Sequence, residues 1–222
     1  MGQCDMSNKA DHFAYDPAYN ELEAVMRMHA VKRWHMIDTT RTQTLAEHSA
    51  NVAMLAFVIV NSPPGAYFGS ASQAAIYGLM HDIPEAFTGD IPTHTKRWFA
   101  PGVIDNIEAA VTPPSMVTTE IPGNVKELIK LCDLADGIRF IWSHGVDVTA
   151  DHARKGLEKQ YWERVTGMYL AWPESITWHV LKHTYFYAYE TGVNSTTATV
   201  PPNAWAMVAD MARRQRNNTG GA

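Results

Sequence analysis

Cysteine is nearly absent: Cys4 and Cys132 are the only two in 222 residues. One sits in a polar N-terminal stretch and the other in an apolar helical pattern. That argues against a disulfide framework and fits a reducing cytosol. No apolar run approaches the ~18 residues a membrane span needs. The N-terminus, Met1-Gly2-Gln3-Cys4-Asp5-Met6, has no apolar core of a secretory leader. Met6 also stands where a myristoylation signal prefers Ser or Thr. A cytoplasmic location is expected, in a host cytoplasm if the source is a phage. Basic charge is in deficit as well. Eighteen Lys and Arg against 23 Asp and Glu leave a formal net charge of −5, so no general polyanion-binding surface and no nucleic-acid polymer partner is expected. Internal repeats and long alternating apolar-polar runs are missing too, which removes solenoids and sheet folds. The predicted class is all-α, one helical bundle.

What remains is rich in histidine, with ten residues, and in apolar positions at helical spacing. Residues 1–15 read as a flexible leader, 16–192 as the core, and 193–222 as linker, short terminal helix (204–216) and disordered tail. Asp16-Pro17 reads as N-cap and first position of a helix whose apolar stripe is Leu22, Val25, Met26 and Ala30. Residues 38–44 read as a loop. Thr44 and Glu47 have the spacing of a capping box, opening a helix to Ile59 with Val52, Leu55, Ala56 and Ile59 on its inner face. His48 tops that face. An apolar helix over 71–80 delivers His81-Asp82, and Pro84 pushes the chain out of helical geometry there. Asn124 is the expected N-cap of a central helix to about Ser143, apolar nearly all round. Within it lies Asp133, which would cost several kcal/mol if buried unpaired, so it needs a cation: Arg139 or a metal. Thr149 is expected to cap the next helix, and Pro173 to start an aromatic-rich one.

His48, His81, Asp82 and Asp133 thus come from different apolar helices, which is how a bundle builds a metal site in its core. Two imidazoles and two carboxylates suit a divalent transition ion: Mn, Fe, Co, Ni or Zn. Four ligands leave open positions for water and substrate, as a catalytic metal requires. The bland alternative for each is a helix-terminal or solvated side chain.

The order His48…His81-Asp82…Asp133 resembles the H…HD…D pattern of the HD-domain metal-dependent phosphohydrolases. The flanks sharpen the likeness. Lys32-Arg33-Trp34, Ala46-Glu47-His48-Ser49, and His81-Asp82-Ile83-Pro84-Glu85-Ala86-Phe87-Thr88-Gly89-Asp90-Ile91-Pro92-Thr93 with Lys96 resemble the bacterial 5′-deoxynucleotidases. Phage dATP triphosphohydrolases share the layout. The resemblance covers about residues 20–140. It implies metal binding by His48, His81, Asp82 and Asp133, and proton handling by Glu85 and Asp90, with acid and base unassigned. Arg33 and Lys96 would bind phosphate, Thr93 would hydrogen-bond it, and Trp34 would pack on the sugar. It implies a deoxynucleotide substrate and a homo-oligomer. The bond cut stays open between a dNTP, losing triphosphate, and a dNMP, losing phosphate, with the dNTP preferred because basic residues (Lys32, Arg41, Lys96, Arg97, Lys130) lie near the motifs. A non-catalytic nucleotide-binding regulator is the remaining alternative.

Overall fold

The helix over Gly123–His144, in which 12 residues are buried, is the one on which the others pack. The computed structural model describes residues 17–116, 121–189 and 202–219. In chain order it runs α1 (Pro17–Met28), a short antiparallel ribbon of β1 (Lys32–Arg33) and β2 (Gln43–Thr44), α2 (Leu45–Asn61), α3 (Ala71–Met80), and single turns α4 (Glu85–Thr88) and α5 (Thr93–Lys96). There follow α6 (Val103–Val111), α7 (Gly123–His144), α8 (Val148–Ala171), α9 (Glu174–Tyr189) and α10 (Pro202–Thr219). The fold is all-α apart from the ribbon, in which Lys32 faces Thr44 and Arg33 faces Gln43. The ribbon falls partly in what the composition suggests is a loop, because two-residue strands leave no alternation to read.

Helix α7 packs against α2, α8 and α9. Leu128, Leu131, Cys132, Ala135 and Ile138 of α7 meet Val52, Leu55, Ala56 and Ile59 of α2, Tyr161 and Val165 of α8, and Val180 and Leu181 of α9. Each buried Leu, Ile or Val contributes about 1.5–3 kcal/mol of transfer free energy. α10 adds Ala204 and Val208 to the same core and extends from Pro202 to Thr219, beyond both expected ends. A smaller cluster (Ala24, Met28, Leu45, Ile83 and Ala86) ties α1 to the chain after α3.

Gly78 sets how closely α3 approaches α2. A Cβ added there would lie 2.7 Å from the Ala53 Cα and 2.9 Å from the Ala53 N. Those are backbone atoms that cannot step aside, so glycine is required for this packing.

Several local expectations are corrected. Leu22, Val25 and Met26 are exposed, and α1 buries Ala24 and Met28 instead. Stripe and buried face lie on nearly opposite sides of the 12-residue helix, since Leu22 and Ala24 are two positions, or roughly 200° at 3.6 residues per turn, apart. Thr44 does accept from the Glu47 amide, but Glu47 does not complete the box, because Arg41 binds both its carboxylate oxygens. Asn124 lies inside α7, whose N-cap is Pro122. The cap of α8 is Asp147, accepting from the Ala150 amide, and Thr149 donates to that carboxylate. The leader, Asp16 and residues 193–201 lie outside the described residues.

Candidate metal centre

His48 sits in the first turn of α2, fully buried. His81 is the first residue after α3, where the helix ends ahead of Pro84. The ring centroids are 5.3 Å apart. Each Nδ1 faces an atom that can only accept. For His81 it is the Gly78 carbonyl at 2.7 Å. For His48 it is Oδ2 of Asp136 at 2.6 Å. Both Nδ1 atoms therefore carry hydrogen, and each ring in its neutral form would turn an Nε2 lone pair inward. Neither Nε2 has a hydrogen-bond partner, although both are buried.

Asp82 Oδ2 lies 3.2 Å from the His81 Nε2 and 3.5 Å from the His48 Nε2. Donor atoms of His48, His81 and Asp82 all fall within 4.8 Å of one another. Asp133 adds a fourth side, its Oδ1 3.2 Å from the His48 Nε2, but it stands outside that trio. Its Oδ2 is held by Lys130 at 2.6 Å, and Arg33 approaches Oδ1 at 3.7 Å. Arg33 and Lys130 thus supply the positive charge for which the sequence offered Arg139. Arg139 instead donates to the Tyr187 carbonyl. Two orphaned imidazole nitrogens beside two carboxylates fit a divalent transition ion, since nitrogen and oxygen donors of intermediate hardness converge on one point.

The electrostatics agree. Burial opposes charge on Asp82, yet His81 and Arg33 outweigh it and hold the carboxyl well below its usual range, despite nearby Asp133. Asp133 is likewise lowered against burial, by Lys130, His48 and Arg33. Burial also disfavours charge on Arg33, but Asp133, Asp82, Asp90 and Glu85 hold it protonated. Glu85 behaves oppositely. It is buried beside Asp82 and Asp90, and its carboxyl rises to about 8 even with Arg33 and Lys96 near.

Glu85 Oε1 accepts from Lys96 at 3.3 Å, while its Oε2 is buried without a partner. Asp90 accepts from the backbone N–H of Trp34 at 3.3 Å. Trp34 has φ 62°, a left-handed conformation rare for a bulky residue. That conformation turns its amide to Asp90. The indole N–H donates to Gln43 at 2.8 Å, and the ring stacks on Phe140. Beneath it lies Gly137, where a Cβ would come within 3.4 Å of the indole. The Thr93 side chain lies outside the described ones.

A cavity of about 580 Å³ opens from His81, Asp82 and Glu85 and is lined by Lys96, Lys126 and Lys130 together with Asp105 and Glu108, the last 3.6 Å from Lys96. Of the five basic residues expected near outer phosphates, only Lys96 and Lys130 line it. Lys32 alternates with Arg33 on β1 and points the other way. Arg41 is tied to Glu47 and His144, and Arg97 is exposed.

Sequence reasoning passed over the other side of His48. Asp136, 1% exposed, accepts from Gln43 (2.7 Å), Asn51 (2.9 Å), Tyr187 (2.8 Å) and His48. Its one signal was its place one turn after Asp133 on an apolar helix.

The 5′-deoxynucleotidase YfbR-like family profile matches residues 21–130. A dATP triphosphohydrolase of Salmonella phage PMBT28 is 30% identical over 158 residues, covering 68% of this chain and 81% of the relative. A dATP triphosphohydrolase of Cyanophage S-2L is 30% identical over 63% of this chain and 80% of its own. The 5′-deoxynucleotidase YfbR of Salmonella paratyphi B is 35% identical over 72 residues, 32% of this chain. In three dimensions, the Cyanophage S-2L HD phosphohydrolase DatZ, solved with dA and one catalytic Zn2+ ion, aligns with a TM-score of 0.64 at 23% identity, over 77% of this chain and 96% of that one. The likeness of fold and the sequence relatives agree with the pair of inward-facing imidazoles: the chain belongs to the YfbR-like family of HD-domain deoxynucleotide phosphohydrolases.

Proposed function

We propose that the chain hydrolyses 2′-deoxynucleoside triphosphates of the dATP type at the 5′ phosphoester, releasing deoxynucleoside and triphosphate. The observation that carries this reading is the cavity beside His81 and Asp82, whose wall bears Lys96, Lys126 and Lys130. Lys96 pairs with Glu85 and Glu108, and Lys130 with Asp133, so both stand at the site already, and with Lys126 on the same wall they offer more positive charge than one monophosphate needs, charge that β and γ phosphates would use. The names of the phage relatives point the same way.

In this reading His48, His81, Asp82 and Asp133 hold the metal. A divalent ion there supplies Lewis acidity toward a phosphoryl oxygen and toward water. Arg33, already between Asp82 and Asp133, offsets charge on the phosphate next to the sugar, with Lys96 beside it. Lys126 and Lys130 take the outer phosphates. Glu85 keeps its proton near neutral pH and gives it to the departing 5′ oxygen. Asp90, anchored on the Trp34 amide, takes the proton that the attacking water loses. Trp34, clamped between Gln43 and Gly137, presents a fixed surface to the deoxyribose, where bulk at C2′ would reject ribose.

One observation favours a second reading, a 5′-deoxynucleotidase on dNMPs: the family profile and the 35%-identical stretch both carry that name. Incubating the protein with dAMP and dATP plus Mn, Co or Zn, and identifying the released anion, separates the two. Triphosphate from dATP supports the proposal, and orthophosphate from dAMP alone replaces it with the second. Nucleotide binding without turnover would make the chain a regulator.

No helix among the described residues is long and apolar enough to cross a membrane, and the proposed place of work is the cytoplasm. A homo-oligomer is also proposed, supported by the exposed Leu22, Val25 and Met26 of α1. Sedimentation as a monomer at micromolar concentration would refute it.

A further inference from the structure

We infer that Asp136, held by Gln43, Asn51 and Tyr187, is a positioning residue that fixes the His48 tautomer and thereby sets the affinity of the metal centre. This rests on reading His48 as a ligand. A neutral imidazole can carry its proton on either nitrogen, and only the form protonated on Nδ1 leaves Nε2 free to bind a metal. Asp136 Oδ2 at 2.6 Å selects that form. It can do so only while it stays an acceptor in one orientation. The hydrogen bonds that enforce this come from three separate elements. Gln43 on β2 donates to the same oxygen as His48, while Asn51 on α2 and Tyr187 on α9 donate to the other. Both oxygens accept two bonds each, in a fully buried site. Rotation of the carboxylate would break four bonds at once.

Gln43 adds a second consequence. Its amide nitrogen donates to Asp136 and its oxygen accepts from the Trp34 indole, so its amide cannot flip without losing both. The chain Trp34–Gln43–Asp136–His48 therefore joins the residue proposed to face the sugar to an imidazole of the metal centre. Carboxylates acting through a ligating histidine in this manner change metal affinity by roughly 10–100-fold.

The test combines metal affinity with a direct observation of the tautomer. Cobalt binding is measured by competition with a chelator in the wild type, Asp136→Asn, Asp136→Ala, Tyr187→Phe and His81→Ala. Long-range 15N–1H correlation spectra of the metal-free wild type at pH 8 report which His48 nitrogen carries hydrogen. The expected tautomer is Nδ1–H. Asp136→Ala, which removes the acceptor, is expected to weaken cobalt binding by about 100-fold. Asp136→Asn, which keeps an oxygen for His48 but loses the charge, is expected to recover part of that loss. Tyr187→Phe is expected to cost a few-fold, since one of four bonds is lost. His81→Ala must lose cobalt for the centre itself to stand, so its retention of the metal overturns the ligand reading on which the inference rests. With His81→Ala defective, wild-type affinity in folded Asp136→Asn overturns the role of Asp136. A proton on His48 Nε2 in the wild type overturns it as well, and needs no variant to fold.

Discussion

Asp133 and Asp136 lie one turn apart on α7, Asp136 buried and Asp133 partly so, and they live in opposite surroundings. Asp133 meets charge: Lys130 and Arg33 on one side, His48 Nε2 and nearby Asp82 on the other. Asp136 meets donors: Gln43, Asn51, Tyr187 and the His48 Nδ1. Burial raises both carboxyls and the neighbours of each outweigh it, ion pairing by Lys130 foremost for Asp133 and the His48 hydrogen bond foremost for Asp136. The satisfied carboxylate acts as scaffold. The one facing orphaned nitrogens is arranged for something that must still arrive. One imidazole divides the two environments.

That contrast can be broken most severely at Asp133. Asp133→Asn is expected to lower turnover by at least about 10³-fold, as loss of a ligand disables the metal's Lewis acidity. Melting of the metal-free protein should change little. Asp136→Asn is expected to show the reverse balance, costing the metal-free fold about 1–3 kcal/mol for mismatched buried hydrogen bonds, read from denaturant unfolding. Equal damage from both variants in both measurements would erase the distinction.

Glu85 sharpens it next. Glu85→Gln is expected to reduce kcat by roughly 10²–10⁴-fold, the usual range for a lost proton donor, with metal content unchanged. The same residue makes a stability prediction. Its folded value of about 8 lies above its ordinary 4.5. The protonated carboxyl therefore contributes stability that is fully present below 4.5 and is lost as pH rises through 8. Chelator-treated wild type should lose melting temperature across that window, and Glu85→Gln should flatten the slope. The smallest effect is expected at Lys130. Lys130→Ala should lower kcat/KM for dATP about tenfold while leaving dAMP binding nearly unaffected, as removal of one charge-assisted phosphate contact predicts. An equal loss for both substrates would place Lys130 on the metal centre through Asp133 rather than on the outer phosphates.

The side chains that the structure brings together were legible in the sequence because chemistry that must converge leaves polar residues in apolar helices. His48 interrupts a buried face, Asp133 an all-apolar one, and Pro84 explains why adjacent His81 and Asp82 can serve one site. The Pro- and Gly-marked loops also delimited the helices well. What stayed hidden depends on contacts made by distant parts of the chain. Nothing near Tyr187 or Gln43 signals that they meet Asp136, 51 and 93 residues away. The cation for Asp133 was sought on its own helix at Arg139, whereas half of it comes from β1. The α1 stripe failed for a simpler reason: a helix with few turns has apolar residues enough for two faces, and only packing chooses between them.

Gly78 gives the centre its manufacturing tolerance. Metal–ligand bonds accept deviations of about 0.2 Å. Relieving a methyl group 2.7 Å from the Ala53 backbone to an ordinary carbon contact of about 3.5–4.0 Å would shift α3 by roughly 1 Å, several times that margin. His81 rides on the end of α3 and is latched to the carbonyl of Gly78 itself, so the displacement would pass undiminished to one imidazole while the other stayed with α2. A residue with no side chain, three positions from the nearest candidate ligand, is thus the gauge block between two helices, and the bite of the site is cut to the thickness of a missing methyl.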